Sequence, residues 1–411
     1  MQPNHVIIRK ENLSNHFDSS QKLEIYDIKQ MEDVLEMDVP AEVWEDAQNR
    51  DLLFLSSQLI KETKQFTFKN MQIQHIYLIS LLTNLTELNL YNNNISDISS
   101  ISKLKNLQIL DLSVNYIEGI SVLQSLTDLT HLYISGNQLI SYTLALPSLV
   151  ELFLCFNKLQ DKSGFQNSPK LEKLALFETG ITDLRTNIPH QLFGLKELYL
   201  SRNNFMDIQY LSNFVDLQYL HLNENQQLQN IGPLKFCTQL TRLDISETSV
   251  ADIWPLQFMI NLNTLNMAKT KVDDLHPLQH LYKLENISAY RACIIDVSPL
   301  SDFTQLQQLT FWQNKIYNED TLKHHPNFSE YDFSDQKFPT IDELKFYNII
   351  LSVHNSHKQI RKIQVEKRVS KFQESMTHQK ESINLKINEQ IQVMNKKIEI
   401  IFSQKYYTDQ Q

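Results

Sequence analysis

One frame of the form LxxLxLxxNxI returns with a period close to 22 residues over most of the chain. It reads LTELNLYNNNI at Leu85–Ile95, LQILDLSVNYI at Leu107–Ile117 and LQQLTFWQNKI at Leu306–Ile316. Thirteen units fit, and nine of the twelve steps are 22 residues; the first positions are Thr63, Leu85, Leu107, Leu129, Leu149, Leu171, Leu195, Leu217, Leu240, Leu262, Leu284, Leu306 and Phe328. A fixed period of this length predicts a solenoid, in which each unit covers the apolar side of its neighbour.

Each unit predicts one short strand followed by one short helical turn. Apolar and polar residues alternate in the LxL stretch, so that Leu88 and Leu90 point inward. In the second half of the unit, Pro255, Pro277 and Pro299 share one offset, and proline suits the first turn of a helix. The sequence therefore predicts an α/β solenoid over residues 63–339. A parallel sheet forms its concave side, and short 3₁₀ or helical segments form its convex side.

Asparagine is the commonest residue at the ninth position of the frame. It is present as Asn93, Asn115, Asn137, Asn157, Asn203, Asn225 and Asn314, and the other units have Thr179, Thr248, Thr270, Ala292, Gln336 or Met71. A buried amide at this point can bond the backbone groups that become free where the chain leaves the sheet. Threonine can do part of this, whereas alanine and methionine cannot. We expect the turns at Ala292 and Met71 to be less well held.

Aspartate recurs just before the predicted helical turns. The positions are Asp97, Asp161, Asp183, Asp207, Asp252, Asp274 and Asp296. A column of carboxylates has two interpretations, a metal site or a set of caps for the turns. We favour capping, because aspartate commonly accepts hydrogen bonds from free N–H groups at turns and helix starts.

Composition and charge limit the class of protein. No stretch of 18 apolar residues is present, which argues against a membrane span. The start, MQPNHVIIRKENLSNHF, does not have the layout of a signal peptide, and the three cysteines are isolated. We therefore expect a reducing, cytoplasmic location. The formal charge is −10, which argues against nucleic acid as the partner of the solenoid.

Both flanks of the solenoid are predicted to be helical in part. In residues 1–62, a capping helix is expected near 41–62, where it would cover the apolar end of the stack. Residues 1–39 have two interpretations, a degenerate unit or a loosely attached arm. Residues 340–411 contain neither Gly nor Pro, and their apolar residues follow heptad steps. We expect a C-terminal α-helical, coiled-coil segment that self-associates or pairs with a partner helix through 345–405.

The C-terminal segment is also basic. Residues 345–411 contain 12 Lys and Arg but 6 Asp and Glu. The cluster consists of Lys358, Arg361, Lys362, Lys367, Arg368 and Lys371. It has two interpretations: a surface for an acidic partner such as RNA, anionic lipid or a polymer, or a solvated helix face. We favour the solvated face.

Aromatic residues collect at strand positions that project from the concave side. The predicted partner-binding residues are Tyr91, Tyr133, Phe153, Phe177, Tyr199, Tyr219, His221, Tyr290, Arg291 and Trp312. All of these except Tyr91 fall into two patches, a larger one from Tyr133 to His221 and a smaller one from Tyr290 to Trp312. Exposed aromatic clusters supply much of the affinity of protein interfaces, although strands also favour aromatic residues for packing.

No motif for catalysis, a cofactor or a metal stands out. Glycine-rich phosphate loops, GxSxG and HExxH are absent from the sequence. The histidine pairs His324–His325 and His354/His357 have no cysteine or carboxylate partner in a ligand pattern. We expect a protein that is not an enzyme and that needs no cofactor or metal.

The extended frame LxxLxLxxNxIxDIxPLxxL resembles the 22-residue class of leucine-rich repeats over residues 63–338. That class occurs in a regulatory subunit of protein phosphatase 1 and, with the same proline, in bacterial internalins. The resemblance implies a horseshoe-shaped solenoid that binds proteins on its concave face. The first hypothesis is thus a scaffold or adaptor for one protein partner. The alternatives are a cytoskeletal or axonemal component positioned by its C-terminal coiled coil, and a regulatory subunit of a phosphatase-like enzyme.

Overall fold

The fold is known from a computed structural model that describes most of the repeat region. The described residues are three short strands before residue 38 and residues 64–337, except 71, 77–78, 81, 161–164, 166, 188–191, 193 and 323–328. The predicted capping helix near 41–62 and the predicted helical segment 340–411 lie outside the described residues.

A parallel sheet of fourteen strands runs the length of the repeats. Thirteen of its strands follow in chain order: β4 (Gln65–Phe68), β5 (Glu87–Asn89), β6 (Ile109–Asp111), β7 (His131–Tyr133), β8 (Glu151–Phe153), β9 (Lys173–Ala175), β10 (Glu197–Tyr199), β11 (Tyr219–His221), β12 (Arg242–Asp244), β13 (Thr264–Asn266), β14 (Asn286–Ser288), β15 (Gln308–Thr310) and β16 (Glu330–Asp332). Each strand pairs with the next in the register set by the frame, so the predicted solenoid is confirmed.

Three further strands precede the first predicted unit. They are β1 (Val6–Ile8), β2 (Lys22–Ile25) and β3 (Leu35–Met37). Strand β2 pairs in parallel with β4 and is the fourteenth strand of the sheet. Strands β1 and β3 form a separate antiparallel pair. The sheet therefore extends beyond the predicted start of the solenoid at residue 63.

Short helical turns lie between the strands, as the proline positions indicate. The 3₁₀ turns are Ser99–Lys103, Ser121–Ser125, Gln209–Asn213, Gly232–Phe236, Trp254–Phe258, His276–Leu278, Ser298–Leu300 and Glu319–Thr321, and α1 is Leu184–Asn187. Pro255, Pro277 and Pro299 lie in the first turn of their segments, and so does Pro233. The missing N–H of proline costs nothing at this position, because it has no acceptor within the turn.

The recurrent aspartates cap these turns. Asp252 Oδ1 accepts a hydrogen bond from the Trp254 N–H at 2.8 Å, and Asp274 Oδ1 accepts one from the His276 N–H at 2.9 Å. The same bond is made by Asp97, Asp183, Asp207 and Asp296. Capping is therefore confirmed for these six positions, and Asp161 lies outside the described residues.

The leucines of the frame form one continuous core. In the unit that begins at Leu85, the side chains of Leu85, Leu88, Leu90 and Ile95 are all fully buried. Burial of such a side chain stabilises the fold by about 1.5–3 kcal/mol, much of which is offset by ordering of the chain. Because each core residue packs against the next unit, stability is shared between neighbours.

The buried asparagines join successive repeats. The Asn115 Nδ2 group donates to the carbonyl of Leu112 in its own repeat and to that of Leu90 in the preceding one, both at 3.0 Å. Its Oδ1 accepts from the Ile95 N–H of the preceding repeat, also at 3.0 Å. Gln336 makes the same set of bonds, although it is one methylene longer. The amide is thus a link between units as well as a support for its own turn.

Threonine at this position makes only some of the hydrogen bonds that asparagine makes. The hydroxyl of Thr248 donates to Ile245 O at 2.6 Å, and that of Thr270 donates to Met267 O at 2.7 Å, both within one repeat. A hydroxyl carries one proton, whereas an amide carries two and also has a separate acceptor. With Ala292 in the next unit, three successive repeats lack the amide. This agrees with the expectation that threonine substitutes in part.

The residue before each of these polar positions adopts a left-handed backbone conformation. The φ values lie between 51° and 65° for Asn92, Val114, Gly136, Phe156, Glu178, Arg202, Glu224, Glu247, Lys269, Arg291, Gln313 and Asp335. Val114 has a φ of 58° and is the β-branched member of this set. Branching at Cβ makes this conformation unfavourable, so Val114 is a site of local strain.

We expect Val114→Asn to raise the free energy of unfolding by about 1 kcal/mol, because asparagine tolerates positive φ far better than valine does. Asn92 already occupies the equivalent position one repeat earlier. The measurement is urea denaturation followed by circular dichroism. The matched control is Gly136→Ala, which introduces a Cβ at a φ of 65° and should lower stability. An unchanged or lower stability of Val114→Asn would contradict the assignment of strain.

Candidate functional site: a row of aromatic rings on the sheet

The sheet has one face whose side chains alternate with the buried leucines, here called the open face. Strand register places Phe153 of β8 beside Ala175 of β9, and Ala175 beside Tyr199 of β10. Tyr133 and His221 continue the same column on β7 and β11. These four aromatic side chains form the ring row, and all four are half-buried.

Two edge or tilted ring contacts hold the ring row in pairs. The Tyr133 and Phe153 ring centroids are 5.0 Å apart at an interplanar angle of 89°, and those of Tyr199 and His221 are 4.8 Å apart at 32°. The Tyr133 hydroxyl donates to Glu151 at 2.9 Å, and the Tyr199 hydroxyl donates to Glu197 at 2.8 Å. Each tyrosine is therefore held by a ring contact with its aromatic neighbour and by a hydrogen bond from its hydroxyl.

Lys173 bridges the two pairs. Its Nζ lies 5.5 Å from the centroid of Phe153 and 5.8 Å from that of Tyr199, within the range of cation–π contacts. The same nitrogen forms an ion pair with Glu197 at 2.9 Å. The lysine is thus neutralised locally and closes one end of the space between the rings.

A hollow of about 480 Å³ opens between the two ring pairs. It is lined by Phe153, Cys155, Lys173, Ala175, Phe177, Tyr199, Ser201, His221, Asn223 and Asp244. Ala175 is 4% exposed and lies where each flanking strand carries a ring. The hollow therefore exists because one member of the column is a methyl group.

The titratable groups of the ring row are held in uncharged forms near neutral pH. Burial, and then the hydrogen bond to Glu151, raises the pKa of Tyr133, and burial with Glu197 raises that of Tyr199. Burial lowers the pKa of His221, although Asp244 opposes this shift. Burial also raises the pKa of the Cys155 thiol, which makes it a weak nucleophile. These properties suit contact with a partner's apolar groups.

The family model for leucine-rich repeats (two copies) matches residues 83–125, 105–148 and 194–236. The solenoid has the leucine-rich-repeat fold. An internalin of Listeria monocytogenes has 27% identity and a TM-score of 0.65, over 74% of this chain and 92% of that one. The resemblance stated from the sequence is confirmed for the fold.

Two other solved structures show the fold alone. A leucine-rich-repeat protein of Leptospira interrogans has 22% identity and a TM-score of 0.59, over 70% of this chain and 80% of that one. TLR13, solved in complex with ssRNA13, has 22% identity and a TM-score of 0.53, over 73% of this chain and 51% of that one. No curated protein matches the chain.

Next to the ring row of the leucine-rich-repeat domain, Phe177 contacts an aromatic residue that the sequence interpretation missed. Phe156 is 52% exposed, and its ring centroid lies 4.9 Å from that of Phe177. The sequence could have identified Phe156, because most other repeats have a polar residue or glycine at the equivalent position. The Arg202 guanidinium lies 5.2 Å from the Phe177 ring. Tyr219, also predicted, lies under the guanidinium of Arg242 at 5.4 Å.

The predicted smaller patch is a compact stack. The rings of Tyr290 and Trp312 are 4.9 Å apart and nearly parallel, at 4°. The Arg291 guanidinium lies 5.0 Å from the Trp312 ring, and its Nε donates to Gln313 at 2.6 Å. Tyr290 follows β14 and Trp312 follows β15, so two strands, β12 and β13, separate this stack from β11 of the ring row. Tyr91, 39% exposed, follows β5 and also lies outside the ring row.

Within the described residues, no group of three or more His, Cys, Asp or Glu side chains is arranged to hold a metal ion. In that same portion, no helix has both the length and the apolar character needed to cross a bilayer. The cysteines Cys155, Cys237 and Cys293 are free thiols.

Proposed function

We propose that the leucine-rich-repeat domain is a non-enzymatic scaffold that binds a protein partner on the open face of its sheet. The observation that carries the proposal is the ring row, four aromatic side chains that remain half-exposed in one column of the open face. Tyrosine and other large aromatic side chains are enriched among the residues that contribute most to protein interfaces. The core, by contrast, is completed by leucines on the opposite side of each strand.

The ring row is suited to binding because it is already ordered. Its members lie on strands, and Glu151, Glu197 and Lys173 fix their orientation. A partner would therefore lose little free energy in immobilising these side chains. From Tyr133 to His221 the row spans five strands, which is about 19 Å at the usual strand spacing. This length is suited to the centre of an interface of ordinary size.

The chemistry of the open face supports binding in preference to catalysis. The residues of the open face with a shifted pKa are Tyr133, Tyr199, Cys155, His221 and Asp111, and each shift favours the uncharged form. None of these shifts creates a reactive nucleophile or a pair of complementary acid and base groups. We accordingly propose no cofactor and no metal for this domain.

The triple variant Tyr133→Ala, Phe153→Ala, Tyr199→Ala tests the proposal. We expect it to retain its melting temperature within a few degrees, because these side chains contribute little to the leucine core. We also expect loss of most of the protein partner captured by crosslinking in the native cell and identified by quantitative mass spectrometry, since removal of one interface anchor typically costs about 2 kcal/mol or more.

A matched control removes exposed apolar side chains elsewhere. Met206, Tyr282 and Tyr317 are 68%, 52% and 47% exposed and lie outside the ring row. The variant Met206→Ala, Tyr282→Ala, Tyr317→Ala should capture the partner as the wild type does. Equal capture by the ring-row variant and the wild type would remove the ring row from the proposal.

The cellular setting stays a prediction from the sequence. A reducing, cytoplasmic location agrees with the free thiols of Cys155, Cys237 and Cys293. The alternative role, as a cytoskeletal or axonemal component, depends on the basic heptad segment 340–411, which lies outside the described residues. The alternative of a phosphatase regulatory subunit rests on the resemblance of the repeats.

A further inference from the structure

The column that contains the ring row reads almost the same in both directions from Ala175. In strand order from β5 to β13 it is Asn89, Asp111, Tyr133, Phe153, Ala175, Tyr199, His221, Asp244 and Asn266. Two rings stand on each side of the methyl group, and an aspartate follows each pair of rings. The symmetry points to Ala175 as the centre of the binding site.

The spacing of the rings indicates what fits over Ala175. Neighbouring rings in each pair are 5.0 Å and 4.8 Å apart, which matches the separation of adjacent strands. Phe153 and Tyr199 are two strands apart, a separation of about 10 Å. Lys173 Nζ borders this gap, at 5.5 Å from the Phe153 ring and 5.8 Å from the Tyr199 ring, so an aromatic ring bound there would lie about 5 Å from each ring and would contact the ammonium. An aliphatic side chain would also contact both rings, but it would lack the additional attraction that aromatic rings gain from edge-to-face or offset-stacked contacts.

The aspartates at the two ends indicate what accompanies that ring. Asp111 accepts from the Ser113 N–H and from Asn89 Nδ2, at 2.9 and 3.1 Å. Asp244 accepts in the same way from the Ser246 N–H at 2.9 Å and from Asn266 Nδ2 at 3.0 Å. Both carboxylates are thus held in place on the open face.

Neither carboxylate is neutralised by an ion pair. Within the part of the chain that the structure describes, neither Asp111 nor Asp244 forms an ion pair with lysine or arginine. Lys173, the cation nearest the hollow, is engaged by Glu197. Burial raises the pKa of Asp111 by more than its hydrogen bonds and the nearby charge of Lys69 lower it, and a further cation bound beside it would offset the remaining cost.

Building on the proposed function, we propose that the space over Ala175 receives one aromatic side chain of an extended peptide segment of the partner, with a lysine or arginine on each side. Each aspartate lies three strands from Ala175, or about 14 Å. An extended chain rises about 3.4 Å per residue, so the basic residues lie about four positions before and after the aromatic residue.

Single-stranded nucleic acid is the other ligand that stacks on rows of rings. Its phosphates would approach Asp111 and Asp244, and the like charges would repel each other. The ring row also lacks an unpaired lysine or arginine among the described residues lining the hollow, because Lys173 is paired with Glu197. The charges of this column therefore favour a basic peptide.

The test is selection of a random 16-residue peptide library, displayed on phage, against the full-length protein. We expect the enriched peptides to carry an aromatic residue with Lys or Arg at about four positions on either side. Ala175→Phe, which fills the space with the protein's own ring, should weaken binding of a synthetic enriched peptide by about tenfold or more. Ala175→Ser, which leaves the space open, should bind it as the wild type does.

A second variant tests the flanking charges without altering the hollow. Asp111→Lys with Asp244→Lys should reverse the selection, so that acidic residues replace basic ones around the aromatic residue. Melting curves by circular dichroism verify that each variant is folded. Equal peptide binding by wild type and a folded Ala175→Phe variant, or enrichment without aromatic residues, would overturn the inference. So would binding of a single-stranded RNA 16-mer that competes with the peptides.

The two experiments distinguish a wrong peptide model for the space over Ala175 from a wrong assignment of the ring row as the interface. If the peptide does not depend on Ala175 but the triple ring-row variant still loses its protein partner, the open face binds a protein in another manner. If both Ala175→Phe and the triple variant keep full capture, the ring row is not the interface.

Discussion

We expect Asn115→Ala to lower the free energy of unfolding by about 2–4 kcal/mol, one of the largest effects of a single substitution in this protein. The amide satisfies the buried Ile95 N–H and the carbonyls of Leu90 and Leu112. Alanine leaves the buried Ile95 N–H without its acceptor, which costs about 1–3 kcal/mol. It also removes one of the two asparagine donors from each carbonyl, since Asn93 still donates to Leu90 O and Asn137 to Leu112 O. Since Ile95 and Leu90 belong to the preceding repeat, the damage should extend to both repeats.

Asn92→Ala is the matched control. This side chain is exposed and donates to Asn70 Oδ1 at 2.7 Å. Its loss should cost at most about 1 kcal/mol, chiefly because alanine is disfavoured at the φ of 54°. Urea denaturation gives both free energies, and hydrogen exchange of the amides in β5 and β6 locates the change. Equal losses for the two variants would contradict the assignment of the frame.

A comparable loss, about 3–5 kcal/mol, is expected for Leu220→Ala in β11. The side chain is fully buried, and the substitution removes its contacts and leaves a cavity between repeats. Stability in a solenoid is a sum of repeats and their interfaces, so the effect should be largest in β10, β11 and β12. Hydrogen–deuterium exchange of these strands, measured by mass spectrometry, is the direct observation.

Met206→Ala serves as the comparison for Leu220→Ala. Met206 is 68% exposed, and truncation of such a side chain normally changes stability by less than about 0.5 kcal/mol. If Leu220→Ala were no more destabilising than Met206→Ala, the strand leucines would not form the core. Exchange that increased equally in β5 and β16 would instead show that the solenoid unfolds as one unit.

Much of the fold was predictable because its period is regular. The frame permits one register even across the 24-residue step from Ala175 to Tyr199, so Phe153, Ala175 and Tyr199 had to occupy neighbouring strands. The capping role of residues such as Asp252 was predictable for the same reason, since a carboxylate two residues before a free N–H can reach it. These are local relations, repeated many times, and each repetition strengthens the inference.

Other features depended on distances between repeats. The sequence interpretation recognised a buried amide at Asn115 but could not tell that its bonds extend to the preceding unit, 20 and 25 residues away. It identified Tyr199 as a candidate but did not identify the bridge that Lys173 makes between two rings. It also missed Phe156, whose contact with Phe177 follows from a left-handed turn.

The 22-residue period and the alternation of leucine were sufficient to specify the stacking of the units, the direction of the strands and the column to which each side chain belongs. They act through neighbouring residues and through a register that repeats without change. The tertiary structure alone decided how the side chains of one column meet. Whether a methyl group between two rings leaves a usable space depends on the orientation of those rings, and Glu151, Glu197 and Lys173 hold them from separate strands.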